Sequence, residues 1–516
     1  MTEAERGPVT AVVWGAEAAV AAVARQARAR GVRVGAGAAE GAAGAARLAA
    51  LAGGAEVGLL CWTAALGAAA GWQEAVAAAL RRQAADPTFA LIVLGPGATP
   101  AAVATALRVA GLGALADGAL LLPAGALNDE TAALDGAATA AGEVLRRGLA
   151  ARWARLGAGR AYVPTLCLRT FAYTPPDPLD LDLDWTAQFP ADSYSGQDWE
   201  ALLLPALRDV RDALQSSPVA HRLRLWVKAR LPAALAGGWA FMLPTGWEVQ
   251  ACADGGIAWS SDGPAAPPAP LQCDPVPAAG DPAMAVVELA VSSATATQTA
   301  QTLTAYALQP GTHLRFTPLD GPGRNTVPDG ATARAMVAQL AAALTGLRGR
   351  GMRHLHLFAA VPAPLAVLVG RHLNALLPLT FYVLPDQDGP YQPAHTFGGH
   401  APAADPVPRV GPPPAGGPAT PELRLTGAQA RQLQEALLAA FPSTSAIAQM
   451  VRFGLNQTFA VIAGGDTLAD QVFSLIEWAE AHGQEAQLLQ VALAANAGNP
   501  QLRTLAQQLL PHYPPA

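Results

Sequence analysis

Short apolar runs alternate with alanine-rich stretches of helical length along the first quarter of the chain. Val9-Thr10-Ala11-Val12-Val13-Trp14 reads as a buried strand, Glu17 to Arg30 as a helix ended by Gly31, and Val32-Arg33-Val34 as a second strand. Glu56-Val57-Gly58-Leu59-Leu60-Cys61-Trp62 reads as a third strand and Glu74 to Ala84 as a helix. Phe89-Ala90-Leu91-Ile92-Val93-Leu94 is a fourth strand, stopped by Gly95-Pro96-Gly97. Strands alternating with helices predict an α/β domain over 1–140, its parallel sheet covered on both faces.

Residues Gly142 to Leu156 read as a basic amphipathic helix, expected to connect domains across 141–161. From Tyr162 aromatics, prolines and aspartates rise, and a second, mixed α/β region is expected over 162–398. Proline and glycine then dominate 399–421, which is expected to be an extended or flexible linker. In 422–516 Leu433, Leu437 and Leu438 recur at helical spacing, as do Val472, Leu475, Ile476 and Ala479. Phe441-Pro442-Ser443 and Gly464-Gly465-Asp466 interrupt them, and Ser443 or Ser445 suits a helix cap. The pattern predicts a small all-α bundle.

Composition narrows the function classes. Of 516 residues 52% are hydrophobic and 14% charged, but alanine supplies much of the former, and no apolar span suits a bilayer-crossing helix. The opening Met1-Thr2-Glu3-Ala4-Glu5-Arg6 lacks the basic and apolar parts of a signal peptide, so a cytoplasmic protein is expected. Cys61, Cys167, Cys252 and Cys273 form no CxxC pair and are expected to be buried free thiols. A net charge of −6 disfavours broad binding to nucleic-acid duplexes, though not one basic pocket for a small anion. Lys228 is the only lysine, every other basic residue of that count being arginine. A lone lysine in such a chain either survived by chance or marks a place that needs a compact ammonium.

The candidate chemistry lies at strand-to-helix junctions of the central region, where backbone amides and the helix dipole favour anions. Arg222 to Lys228 reads as a strand, followed by Arg230 and a helix from Pro232 to Trp239. Val286 to Val291 is a second strand, followed by the hydroxyl-rich Ser292-Ser293-Ala294-Thr295. His354 to Ala360 is a third, followed by Val361-Pro362 and a helix reaching Gly370-Arg371, with a further strand at Thr380-Phe381-Tyr382-Val383. His354 and His356 point the same way, but nothing completes a metal site, and a structural role is expected.

Three resemblances attach to these residues. Asp180-Leu181-Asp182-Leu183-Asp184-Trp185-Thr186 with Phe189, the upstream Leu168-Arg169-Thr170 with Pro175-Pro176, and His356-Leu357-Phe358-Ala359-Ala360-Val361-Pro362 with Gly370-Arg371 resemble SAVED domains. That resemblance implies two fused CARF-type Rossmann-like units binding a cyclic oligonucleotide in anti-phage immunity, whether of the cyclase (CBASS) or the type III CRISPR kind. It implies phosphate contacts from Lys228 and Arg230, bases stacked on Trp239 and Trp259, and donors from Ser292 and Ser293. Phe358, Pro362 and Arg371 would lie by the second unit's pocket. Both tryptophans also suit an ordinary core, and Arg371 a surface ion pair.

The N-terminal region resembles a TIR domain through Gly58 to Leu66, Trp72-Gln73-Glu74 and Leu91-Ile92-Val93-Leu94. The resemblance makes Glu74 the candidate catalytic residue of an NAD hydrolase; a solvated helix-face charge is the alternative. The first strand ends Val13-Trp14-Gly15, outside the family's pattern. The tail resembles an effector-associated domain of type one, through Ala436 to Pro442, Met450-Val451-Arg452-Phe453, Leu475 to Ala479 and Asn496 to Pro500. This implies pairing with a like module on an effector protein, often a protease. Two functions are therefore expected to compete. One is a sensor that self-associates on binding a cyclic oligonucleotide and recruits an effector, with no cofactor and no membrane; the other is a ligand-activated NAD hydrolase, for which NAD would be the substrate.

Overall fold

The computed structural model describes residues 7–15, 17–38, 54–63, 72–95, 99–124, 130–189, 198–253, 258–264, 270–373, 378–384, 389–397, 426–451, 459, 467–481, 485–496 and 498–509. The chain divides into two compact units, Met1–Val407 and Pro408–Ala516. The stretch expected to be a linker, 399–421, lies outside the described residues.

The first unit begins with β1 (Thr10–Gly15), α1 (Glu17–Ala29), β2 (Arg33–Ala38), β3 (Val57–Cys61), α2 (Trp72–Ala85), β4 (Ala90–Gly95), α3 (Pro100–Val109), α4 (Gly113–Gly118), β5 (Leu120–Pro123) and α5 (Glu130–Leu156). The five strands form a parallel sheet in the order β2-β1-β3-β4-β5. Strand residues alternate between two apolar layers. Val12, Trp14, Leu60, Leu91 and Val93 meet α2, α3 and α4, whereas Ala11, Val13, Leu59, Ile92 and Leu94 meet α1 and α5. Side chains on successive strand positions point to opposite faces, so both faces must be covered, as the continuous apolar runs predict.

The second half of this unit starts at β6 (Thr165–Arg169) and β7 (Leu181–Asp184). A π-helical turn at Trp199–Leu203 leads into α6 (Leu204–Gln215), β8 (Arg222–Lys228), α7 (Leu231–Ala240), β9 (Glu248–Cys252) and β10 (Ala258–Ser260). These strands form a second sheet, β10-β9-β8-β6-β7, parallel except at β10. The chain continues as β11 (Leu271–Pro275), β12 (Asp281–Ala290), α8 (Ala296–Ala305), β13 (Pro310–Pro318), α9 (Gly330–Gly349), β14 (His354–Ala360), α10 (Ala363–Gly370), β15 (Leu379–Val383) and β16 (Gln392–Phe397). The third sheet runs β11-β13-β12-β14-β15-β16, parallel at its centre and antiparallel at both edges.

Helices α7 and α10, one from each of the last two sheets, cross at backbone contact. A Cβ on Gly238 would sit 1.9 Å from the Val367 carbonyl oxygen, and one on Gly370 would sit 2.1 Å from that of Leu235. Only glycine permits so close an approach at these two positions. The two Rossmann-like layers thus join through their helices.

The N-terminal sheet does not stand apart. Helix α5 starts at Glu130 rather than inside the 141–161 connector expected from the sequence, and its Ala137, Ala141, Val144, Leu145, Leu149 and Trp153 are buried in the core shared with the second half. Backbone bonds cross the same joint: Val9 N donates to Asp180 O and Asp182 N donates to Gly31 O, each at 2.9 Å. The Trp185 indole donates to Ala29 O at 2.9 Å, and the buried Arg30 Nε donates to Asp209 at 2.7 Å.

The second unit comprises α11 (Gly427–Ala440), α12 (Thr444–Met450), α13 (Leu468–Ala481), α14 (Glu485–Ala495) and α15 (Pro500–Leu509). Thr426 and Gln429 form a reciprocal capping box on α11, and Ser443, not Ser445, caps α12 by accepting from Ala446 N. Leu433, Leu437, Val472, Leu475, Ile476 and Ala479 are buried, as their spacing predicts; Leu438 is only partly buried.

Cys61, Cys167 and Cys252 are buried free thiols, and burial pushes the first two up to about 12. Cys273, also free, is exposed, because it lies on the edge strand β11. No helix among the described residues is long and apolar enough to cross a membrane.

Candidate ligand site

The site is built on the carboxyl ends of parallel strands. Strands β6 and β8 lie side by side in a register that sets Arg169 opposite Lys228. Two cations across one ladder repel, and β7 answers this with two carboxylates. The Arg169 guanidinium donates to Asp182 at 2.9 and 3.1 Å and to Asp184 at 2.6 Å. These are the aspartates of the Asp180-to-Asp184 stretch whose alternation stands out in the sequence. The third, Asp180, is buried and accepts from the Tyr162 hydroxyl and from Thr165 N, both at 2.8 Å, so it fixes the start of β6.

Past the strands the two chains are stitched together. Thr170 N donates to Lys228 O at 3.1 Å, and Arg230 N donates to the Thr170 hydroxyl at 2.8 Å. Lys228 and Arg230 are both half-buried. The Lys228 ammonium lies 5.8 Å from the Tyr173 ring centre and the Arg230 guanidinium 5.3 Å from that of Phe171. Helix α7 begins at the next residue, with Pro232 in its first turn, so the amides of that turn are directed at the same place.

The third sheet supplies the other wall. Val291 N and Ser292 N both donate to Ala360 O, at 2.9 and 2.7 Å, which locks the end of β12 to the end of β14. Ser292 is half-buried and Ser293 exposed. The turn they occupy is tied down from below by Glu288, which has no exposure to solvent. Its carboxylate accepts from the Thr295 hydroxyl, from His313 Nε2 at 2.7 Å and from Arg315 at 2.8 Å. Burial alone would raise this carboxyl; the donors from His313, Arg315 and Thr295 more than offset that and hold it down at about 2. Pro362, half-buried, occupies the cap position of α10. A cavity of about 170 Å³ lies where the walls meet, lined by Arg230 and Leu231 on one side and by Ala359, Tyr382, Val383 and Leu384 on the other.

The structure therefore gathers Lys228 and Arg230 at one junction and Ser292, Ser293 and Pro362 at the strand ends of the other. It sets four more of the expected residues elsewhere. Trp239 lies in the last turn of α7, about 12 Å along the helix from its start, against Phe397 at 5.8 Å between ring centres. Trp259 is buried on β10, at the far edge of the second sheet. Phe358 is fully buried, stacked on Tyr382 at 4.3 Å. Arg371 makes no surface ion pair: it is buried at the end of α10 remote from Pro362, and it donates to the carbonyls of Phe241 and Trp247. Glu74 falls in the first turn of α2, and its side chain lies outside the described residues. His354 and His356 are structural, bonded to the hydroxyls of Thr380 and Tyr382 at 2.8 Å each.

Sequence reasoning passed over Phe171 and Tyr173. The signal was present: both are two residues apart just beyond β6, as Lys228 and Arg230 are just beyond or at the end of β8.

Residues 206–397 match the family model described as "SMODS-associated and fused to various effectors sensor domain" (SAVED), and residues 423–510 match effector-associated domain 1. No curated protein matches the chain. Among solved structures, the SAVED/CARF-domain receptor Cap4 of Acinetobacter baumannii with the cyclic trinucleotide 3′3′3′-cAAA is 14% identical at a TM-score of 0.39, over 60% of this chain and 80% of that one. The same receptor with 2′3′3′-cAAA is 15% identical at 0.39, over 63% and 85%. The Cap4 receptor of Moraxella osloensis is 14% identical at 0.36, over 62% and 84%. The chain carries a SAVED sensor domain and an effector-associated domain 1.

Proposed function

We propose that this SAVED-domain chain senses a cyclic oligonucleotide second messenger in anti-phage immunity, self-associates on binding it, and passes the signal to a separate effector through its C-terminal helical domain. One observation carries the reading. Arg230 and Leu231, where β8 passes into α7, and Ala359, at the end of β14, line one cavity together with the end of β15; Lys228 ends the strand before the first junction, and the Ser292-Ser293 turn is bonded to the end of β14 beside the second. Ammonium and guanidinium groups beside helix N-termini suit phosphates, and a cleft between two like halves suits a ligand that is itself a ring of repeated units. The SAVED match over 206–397 supports the same reading, and the effector-associated domain supports an outlet by pairing with a like module.

The test is a titration of the full chain with cyclic di-, tri- and tetranucleotides, with particle size followed by light scattering. At least one ring is expected to bind and to enlarge the particle. Lys228→Ala is expected to lose about 1.5–3 kcal/mol of that affinity, as a charge-assisted contact does. Failure of every ring to bind would remove the reading.

A second reading keeps the N-terminal sheet as an NAD hydrolase switched on by the ligand. Glu74 on the helix that follows β3, in a parallel sheet of order 2-1-3-4-5, favours it. The same strand order also serves many unrelated doubly wound domains. Ligand-dependent loss of NAD, abolished by Glu74→Ala, decides for this reading; NAD left intact decides against it.

A further inference from the structure

Phe171 and Tyr173 have no role in the reading so far, yet their chemistry is specific. Phe171 is 42% exposed, one of few large apolar side chains left in water among the described residues. A phenyl ring left partly in water is open to being covered by a ligand. Its position is fixed all the same. The residue before it, Thr170, is buried and bonded on both sides, to Lys228 O and from Arg230 N. Arg230, whose guanidinium lies 5.3 Å from the Phe171 ring centre, also lines the 170 Å³ cavity. The half-buried Tyr173 and the Lys228 ammonium repeat the arrangement at 5.8 Å.

We propose that Phe171 and Tyr173 are the stacking surfaces for nucleobases at this site, each with its own cation, Arg230 and Lys228, for the phosphate attached to that base. The proposal deepens the sensing reading and rests on it. Each pair joins the two things a nucleotide offers, a π face and an anion. Stacking on an aromatic ring accepts any base, so these residues supply affinity and orientation rather than base identity. The cation already above each ring is drawn there by the ring's quadrupole. An arriving base takes the ring face while its phosphate takes the cation, so each lost contact is replaced by a stronger one.

Two probes separate this proposal from the reading beneath it. The first is cyclic triadenylate with one adenine replaced by the fluorescent analogue 2-aminopurine. The second is 2-aminopurine riboside 5′-monophosphate at millimolar concentration, which needs only one ring and one cation. The full chain is expected to quench both probes. Phe171→Ala and Tyr173→Ala are each expected to weaken binding of the cyclic probe about tenfold or more and to restore emission. Phe171→Leu, which keeps an apolar side chain but removes the ring, is expected to behave like Phe171→Ala, so a general loss of packing is not mistaken for a loss of stacking. Thermal unfolding checks that the variants fold. Equal affinity and equal quenching in wild type and variants overturns the proposal while leaving the sensor reading intact. Quenching of the mononucleotide that each alanine variant reduces and the double variant abolishes, without binding of any ring, upholds the stacking surfaces and overturns the reading. If neither probe is quenched, the stacking surfaces fall, and the sensor reading falls with them only if no cyclic di-, tri- or tetranucleotide binds.

Discussion

A carboxylate shut off from water, as Glu288 is, stays ionised only where donors replace the hydration it has lost. His313, Arg315 and Thr295 supply them. Glu288→Gln removes the charge and keeps the shape, leaving Arg315 and its neighbours facing an amide. It is expected to cost about 3 kcal/mol at pH 7 in urea unfolding. The native carboxyl holds its proton less tightly than the unfolded one, with about 2 against the ordinary 4.5. Its contribution is therefore complete above about 4.5 and is lost as the pH falls toward about 2, so the gap between wild type and variant should close over that window. A gap that stays constant with pH would mean that the charge plays no part. At this scale the sequence shows residue types well and partners poorly. Lys228 and Arg230 announced a cationic junction, because a strand that ends in two cations before a helix has few other uses. Arg371 gave no such sign. Its carbonyl partners at Phe241 and Trp247 are about 125 residues away along the chain and have no side-chain signature.

Elements were legible wherever one period ruled. The parallel strands β1, β3, β4 and β12 contain short apolar runs, and β8 and β14 alternate leucines with arginines or histidines before turning apolar, so each was readable as a strand. Strand β13 was not. His313 and Arg315 face Glu288 rather than an apolar layer, so the strand's polar positions mimic a loop. The crossing of α7 and α10 was equally hidden, since glycines in a helix usually signal a break. Its tightness is testable. Gly238→Ala and Gly370→Ala each place a methyl about 2 Å from a carbonyl oxygen of the other helix, and each is expected to lower stability by about 3 kcal/mol as an overpacked contact does. Gly346→Ala, in α9 where nothing lies within 4 Å, is expected to raise it by about 1 kcal/mol. A calorimetric series that moved all three melting temperatures the same way would contradict this account of the crossing.

At the scale of the first unit, the domains expected from the sequence share one core. In helix α5 only Gly142 to Leu156 shows a basic amphipathic pattern; the alanine-rich turns before it hide which face is which, so the helix reads as a connector. The Arg30–Asp209 pair crosses the joint, with the arginine wholly buried and Asp209 partly exposed. Asp209→Asn leaves that buried cation with only the neutral oxygens of Gln26, and a loss of about 2 kcal/mol is expected. Hydrogen exchange is the sharper measure. Protection in β3 of the N-terminal sheet and in β8 of the sensor half should fall together, because both belong to the core that α5 completes. Loss confined to one of them would show two independent folding units.

That shared core limits how this protein can be re-engineered. A receptor whose output is a cassette tolerates replacement of that cassette by another enzyme or a fluorescent reporter. Here the N-terminal sheet is a fixture: cutting it away would expose Trp185, whose indole loses the Ala29 carbonyl as its acceptor, and the buried flank of α6. A biosensor built from this chain should therefore keep everything through β16 and carry its reporter beyond, where the second compact unit begins.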